Sequence, residues 1–167
     1  MKWHRVVVVV SLLGSACRAP LVKKPDRVYV PVARNSATAP AVLYNRLGEE
    51  KGIRLIVEDF VPRVMGDSRV NFLRVGTARA SATVNVVRLQ EHFVQYISGA
   101  SGGPGKYEGR DMLAVHQGMG ISSREFDAFL EDLGLSMQKV GVEQGEREDL
   151  IQIMAGTRGM IVEKKGS

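Results

Sequence analysis

From Leu43 onward, apolar residues recur at three- and four-residue steps, the period of an amphipathic helix, and strand-like alternation is hard to find. Ile53, Ile56, Val57, Phe60, Val61 and Val64 form one apolar face. Pro62 falls inside that segment and predicts a kink or an early end, because proline lacks the N–H the helix needs. Gly66-Asp67-Ser68 then closes it. After a patternless stretch rich in Ala, Ser and Thr at about 76–85, Val86, Leu89, Phe93, Tyr96 and Ile97 make a second stripe. Gly99 and the Gly102-Gly103-Pro104-Gly105 loop stop it. Ser122 and Glu125 stand at capping-box spacing ahead of a third stripe, Phe126, Phe129, Leu130, Leu133 and Met137. A last helix is predicted over about 143–162, carrying Leu150, Ile151, Ile153, Met154, Met160 and Ile161, with Lys164-Lys165 at its end as the helix dipole prefers. The fold class is all-α, with a glycine-rich stretch from Gly99 to Gly120 too irregular for continuous helix.

Composition changes the picture mainly at the N-terminus. The chain has 167 residues and is 44% hydrophobic, enough for one domain with a sizeable core. Its net charge of +5 sits in the first 40 residues, and residues 41–167 carry 16 basic against 17 acidic side chains, which removes the main support for a nucleic-acid partner. Met1–Arg5 is short and positive, Val6–Leu13 is apolar, and Gly14-Ser15-Ala16 places small residues before Cys17, the layout of a secretory signal. The apolar run is far shorter than the roughly 20 residues of a spanning helix. Cys17 is the only cysteine, and its place at this junction resembles the lipobox of bacterial lipoproteins, although Gly14 stands where that pattern prefers Leu. The resemblance implies a lipid thioether on Cys17 and cleavage before it; plain secretion is the alternative. The organisation is then a signal peptide over 1–16, a lipidated Cys17 with a Pro-rich tether over 17–40, and a folded domain over 41–167, exported and anchored to the membrane of the cell envelope. Arg18, Lys23, Lys24, Arg27 and Arg34 in the tether suit anionic headgroups, or a merely solvated linker.

The chemistry available to the domain is narrow. His92 and His116, without cysteine partners, are too few for a closed zinc site, and there is no HExxH, nucleophile elbow or phosphate loop with its lysine. The informative run is Gly102-Gly103-Pro104-Gly105-Lys106-Tyr107-Glu108-Gly109-Arg110-Asp111-Met112-Leu113-Ala114-Val115-His116-Gln117-Gly118-Met119-Gly120-Ile121. A histidine on a short helix between glycine-rich loops, among amphipathic helices, is the setting of a proximal haem ligand. Here the chain resembles the group I truncated haemoglobins, in which a GGP turn, a Tyr, a Gly, a Met four residues before the proximal His and a following Gly-Ile run in this order. The likeness extends from Leu43-Tyr44-Asn45-Arg46-Leu47-Gly48 through Glu58-Asp59-Phe60 and Val70-Asn71-Phe72 to Phe126-Asp127-Ala128-Phe129 and Gly141-Val142.

The resemblance implies a 2-on-2 helical sandwich around haem b, with His116 on the iron and oxygen or another diatomic gas opposite. It implies a cofactor pocket of Phe60, Val61, Phe72, Leu89, Phe93, Tyr96, Tyr107, Met112, Ile121, Phe126, Phe129 and Met154. The distal side departs from the family. Val61 stands where a tyrosine is usual and Phe93 where a glutamine is usual, so two donors that hold bound oxygen are missing. His92 matches a position that some related globins use as a sixth iron ligand; its other reading is a histidine at the solvent edge or near a haem propionate. Three functions follow as alternatives: a gas-binding globin, a six-coordinate redox or sensor protein or a peroxidase or nitric-oxide dioxygenase, and a haem-free interaction module. A redox role would need a reductase that the sequence leaves unnamed, as it does the oligomeric state.

Overall fold

Helix α1 (Leu43–Arg46) leads through Gly48 into α2 (Glu49–Gly66), whose apolar stripe from Ile53 to Val64 is buried at the centre of the molecule. The computed structural model describes residues 42–163 apart from 78, 82 and 105, so the signal, Cys17, the tether and Lys164-Lys165 lie outside the described residues. Two acidic residues, Glu49 and Glu50, open α2 and Arg63 lies in its last turn, both matched to the helix dipole. Contrary to the expected early end, α2 continues past Pro62 to Gly66. Pro62 is exposed, whereas Val61 and Val64 on either side of it are fully buried, and that burial holds the last turn in place of the missing N–H.

Helix α3 (Val86–Ala100) starts at Asn85, whose side chain accepts from the Arg88 amide, and α4 (Met112–His116) starts at Asp111, which accepts from the Ala114 amide. The predicted capping box opens α5 (Ser123–Val140): Ser122 accepts from the Glu125 amide at 3.2 Å and Glu125 accepts from the Ser122 amide at 2.9 Å. The predicted single last helix is instead two, α6 (Gln144–Ala155) and α7 (Arg158–Ile161). The buried Thr157 hydroxyl donates to the Met154 carbonyl at 2.7 Å, a local bond that replaces the helical one, so the chain turns at Gly156-Thr157. The turn buries Ile161 but leaves Met160 exposed, against its expected place on the apolar stripe.

No strand is present among the described residues. Helix α2 packs on both α3 and α5, α5 packs on α6, and α4 rests against α7. Helices α2, α3, α5 and α6 thus form a sandwich, and one continuous core joins Leu47, the α2 stripe, Val94 and Ile97 of α3, Leu133 and Met137 of α5, and Leu150 and Met154 of α6. Residues Leu89, Phe93 and Tyr96 of α3 and Phe129 of α5 are only half-buried. They face the cavity described next.

Candidate functional site

A cavity of ≈ 350 Å³ lies among α3, α4, α5 and the loop between α2 and α3. Its wall contains Phe72, Leu89, Phe93, Tyr96, Tyr107, Met112, Ile121, Phe126, Phe129 and Met154, together with both His92 and His116. The structure therefore gathers ten of the twelve expected pocket residues from five separate stretches of chain. Phe60 and Val61 are not among the lining residues. The Phe60 ring lies edge-on to Phe93 at 5.4 Å and to Phe129 at 5.0 Å, so these two rings stand between α2 and the cavity. Phe60 supports the wall from behind, and Val61 is buried in the core.

The aromatic side of the cavity is continuous. Phe126 and Phe129 stack at 6.0 Å, Phe129 lies 6.1 Å from Phe93, and the Arg158 guanidinium covers the outer face of Phe126 at 4.6 Å. At the far corner Tyr107 meets Tyr96 at 5.6 Å and His92 at 5.9 Å, both edge-on. Gly109 makes that corner: a Cβ there would come within 2.1 Å of the Tyr107 ring. The irregular Gly-rich stretch is thus a close backbone approach beneath an aromatic ring. His92 also borders an open groove on the outer surface, formed with Asn85, Arg88, Glu91, Gln95 and Glu108.

His116 closes the last turn of α4. Its Nδ1 donates to the Met112 carbonyl at 2.8 Å; a carbonyl oxygen only accepts, so the proton is on Nδ1 and Nε2 keeps its lone pair. Burial pushes the imidazole below its ordinary pKa of 6.5 and Arg74 pushes it in the same direction, against the Met112 carbonyl, so at neutral pH the ring is uncharged. A neutral, oriented imidazole in an apolar cavity is a donor for a soft or borderline metal. Burial raises the Tyr96 hydroxyl above its usual range, and Tyr107 adds to the shift, so Tyr96 is also neutral.

The bacterial-like globin family matches residues 42–163, nearly the whole of the described chain. The protein is a truncated globin. It is 30% identical over 124 residues to the group 1 truncated hemoglobin GlbN of Mycolicibacterium paratuberculosis, covering 74% of this chain and 86% of that protein. The Synechocystis GlbN is likewise 30% identical, over 75% of this chain and 95% of its own length. Among solved structures, the globin superposes on the 2/2 hemoglobin of Synechococcus, crystallised in the cyanomet state with covalently attached heme, with a TM-score of 0.63 at 28% identity over 74% of this chain and 100% of the other. The Fe(III) truncated hemoglobin of Tetrahymena pyriformis gives a TM-score of 0.64 at 24% identity over 73% and 98%. The sandwich is therefore the 2-on-2 globin fold.

Haem is the cofactor of this family, and the cavity fits it. Its walls are mostly apolar rings and aliphatic side chains, as a flat macrocycle requires, and His116 presents a ring nitrogen fixed in orientation by the Met112 carbonyl. The cavity is also lined by residues outside the expected pocket: Val70, Leu73, Arg74, Arg79, Ser81 and Val84 from the loop between α2 and α3, Val115 and Met119 from α4 and the turn after it, Glu125 from α5, and Thr157 and Ile161 from the turn into α7 and α7 itself. Ile161 had a signal in its apolar spacing; the arginines had none.

Proposed function

We propose that this truncated globin binds oxygen or another diatomic gas reversibly at a haem iron held by His116, and that lipid on Cys17 tethers it to the cell envelope. The observation that carries the reading is the Nδ1–Met112 bond at 2.8 Å, which presents Nε2 to an apolar, aromatic-walled cavity. The group, when bound, supplies a ligand-binding iron. The protein's part is to fix the imidazole's tautomer and orientation, keep it uncharged, and exclude water from the opposite side. Phe93 offers hydrocarbon where a donor is usual and Val61, itself hydrocarbon, is buried in the core outside the lining, so a bound gas receives little hydrogen bonding from these positions. Fast release suits exchange or sensing better than storage.

One observation favours a second reading. His92 on α3 lines the same cavity as His116, and its imidazole can serve as the sixth ligand, making the iron low-spin until an external ligand displaces it. Absorption spectra of the haem-loaded chain decide between the two. A saturable, one-to-one Soret band that His116→Ala abolishes supports the haem site; its absence in the native chain overturns the proposal in favour of a haem-free module. Low-spin ferrous bands that vanish in His92→Ala assign the second ligand, and a high-spin native spectrum assigns the open gas site. The tether rests on the sequence before residue 41. Incorporation of labelled fatty acid into the native chain and not into Cys17→Ser is the expected result.

A further inference from the structure

The loop that follows His116 should be loose. Helix α4 is only five residues long, and Gly118 and Gly120 both hold left-handed backbone, at φ +79° and +63°. Yet its backbone polar groups are taken in turn by side chains from elsewhere. Arg79 donates to the Gln117 carbonyl at 2.6 Å. The two carboxylate oxygens of Glu163 accept from the amides of Gly118 and Gly120, each at 2.5 Å, and the Glu163 amide donates to the Ile121 carbonyl at 2.9 Å. Arg74 donates to the Met119 carbonyl at 3.0 Å, to the Asn71 carbonyl at 2.5 Å and to Glu125 of the capping box.

Arg74 is the centre of this arrangement. Its residue is 6% exposed, and its backbone is left-handed at φ +54°, which a side-chain-bearing residue adopts only when its surroundings over-determine it. A buried guanidinium is retained only when its donors are satisfied, and here the partners come from the α2–α3 loop, the His116 loop and the start of α5. The loop between α2 and α3 thus acts on the His116 side of the cavity.

We propose that Arg74, Arg79 and Glu163 form a harness that sets the position of His116 relative to the haem iron, with Arg74 as its positioning residue. The inference rests on the proposed ligation of iron by His116. The harness converts a short helix end, free to rotate about two glycines, into a fixed mount. The outer partners of a metal-bound histidine change metal retention by tens of fold when lost, and this harness stands one step further out, through the loop backbone.

The test uses the full haem-loaded chain in a His92→Ala background, so that ferrous iron is five-coordinate, and reads the iron–histidine stretching band by resonance Raman and the rate of haem transfer to an acceptor apoglobin. Arg74→Met is expected to shift or broaden the band and to speed haem loss about tenfold, with Arg74→Lys restoring part of both. An unmoved band and an unchanged haem-loss rate overturn the harness. If Arg74→Met does not fold, Glu163→Gln decides: amide exchange at Gly118 and Gly120 should rise about tenfold with a moved band, and unchanged exchange overturns the proposal. His116→Gly separates the two claims. Loss of the band in that variant, with no effect of Arg74→Met, removes the harness and keeps the ligand; a band that survives His116→Gly removes both.

Discussion

At His116 a single hydrogen bond and its burial decide the chemistry. Because the folded ring titrates below 6.5, its ordinary value, the folded chain binds fewer protons than the unfolded chain as pH falls through that range. The stability contributed by the neutral ring is complete above about pH 6.5 and is lost as pH drops toward the folded value. Denaturant midpoints of the apoprotein should therefore fall between about pH 7.5 and 5.5, and His116→Gln should flatten the slope. On the other side, Phe93 is a half-buried lining residue. Phe93→Gln would place one amide donor near bound ligand, worth about 1 kcal/mol, and stopped-flow measurement should show oxygen release slowed about fivefold.

Among the elements, α2 and α4 illustrate opposite means of stabilisation. Helix α2 tolerates Pro62 because the stripe around it is buried between α3 and α5. Pro62→Ala restores an N–H to the helix without disturbing that stripe, and it should raise stability by about 1–2 kcal/mol, part of the proline penalty being offset by the freer unfolded chain. Thermal or urea unfolding reads this directly, and a loss of stability would mean that the ring itself packs usefully. Helix α4 has no buried residue of its own and is held at both ends by side chains, with Asp111 at its start and the Arg79, Arg74 and Glu163 bonds beyond its end. Its stability is borrowed from loops, so it should be the first helix to exchange amides when haem is removed.

For the whole molecule, the cavity of ≈ 350 Å³ beside the buried core is the space a cofactor would fill. Haem binding to the folded chain alone should stabilise it by roughly 4 kcal/mol at a thousandfold excess over the dissociation constant, raising the melting temperature in a concentration-dependent way. His116→Ala should lower the apoprotein's melting temperature by only the few degrees that one lost hydrogen bond costs, while abolishing most of that rise. Calorimetric scans with and without haem distinguish this from a purely structural histidine. Among the described residues no helix is long and apolar enough to cross a membrane.

Much of this architecture was legible in the sequence. The stripes of α2, α3 and α5 and the Ser122–Glu125 capping box follow from spacing and local hydrogen-bonding chemistry, which act within a few residues of chain. The ordered likeness around Tyr107, Met112 and His116 carried the cofactor and most of its wall. Tertiary structure decided what spacing cannot express. Phe60 shares the apolar pattern of the wall, yet the rings of Phe93 and Phe129 come between it and the cavity. The break at Gly156-Thr157 depends on one hydroxyl finding a carbonyl as α7 turns toward α4. The roles of Arg74, Arg79 and Glu163 depend on which backbone groups of a distant loop the fold leaves unpaired. Apolar periodicity records which face of a helix is buried; it holds no record of what lies on the other side of that face, because that contact is made by residues far away along the chain.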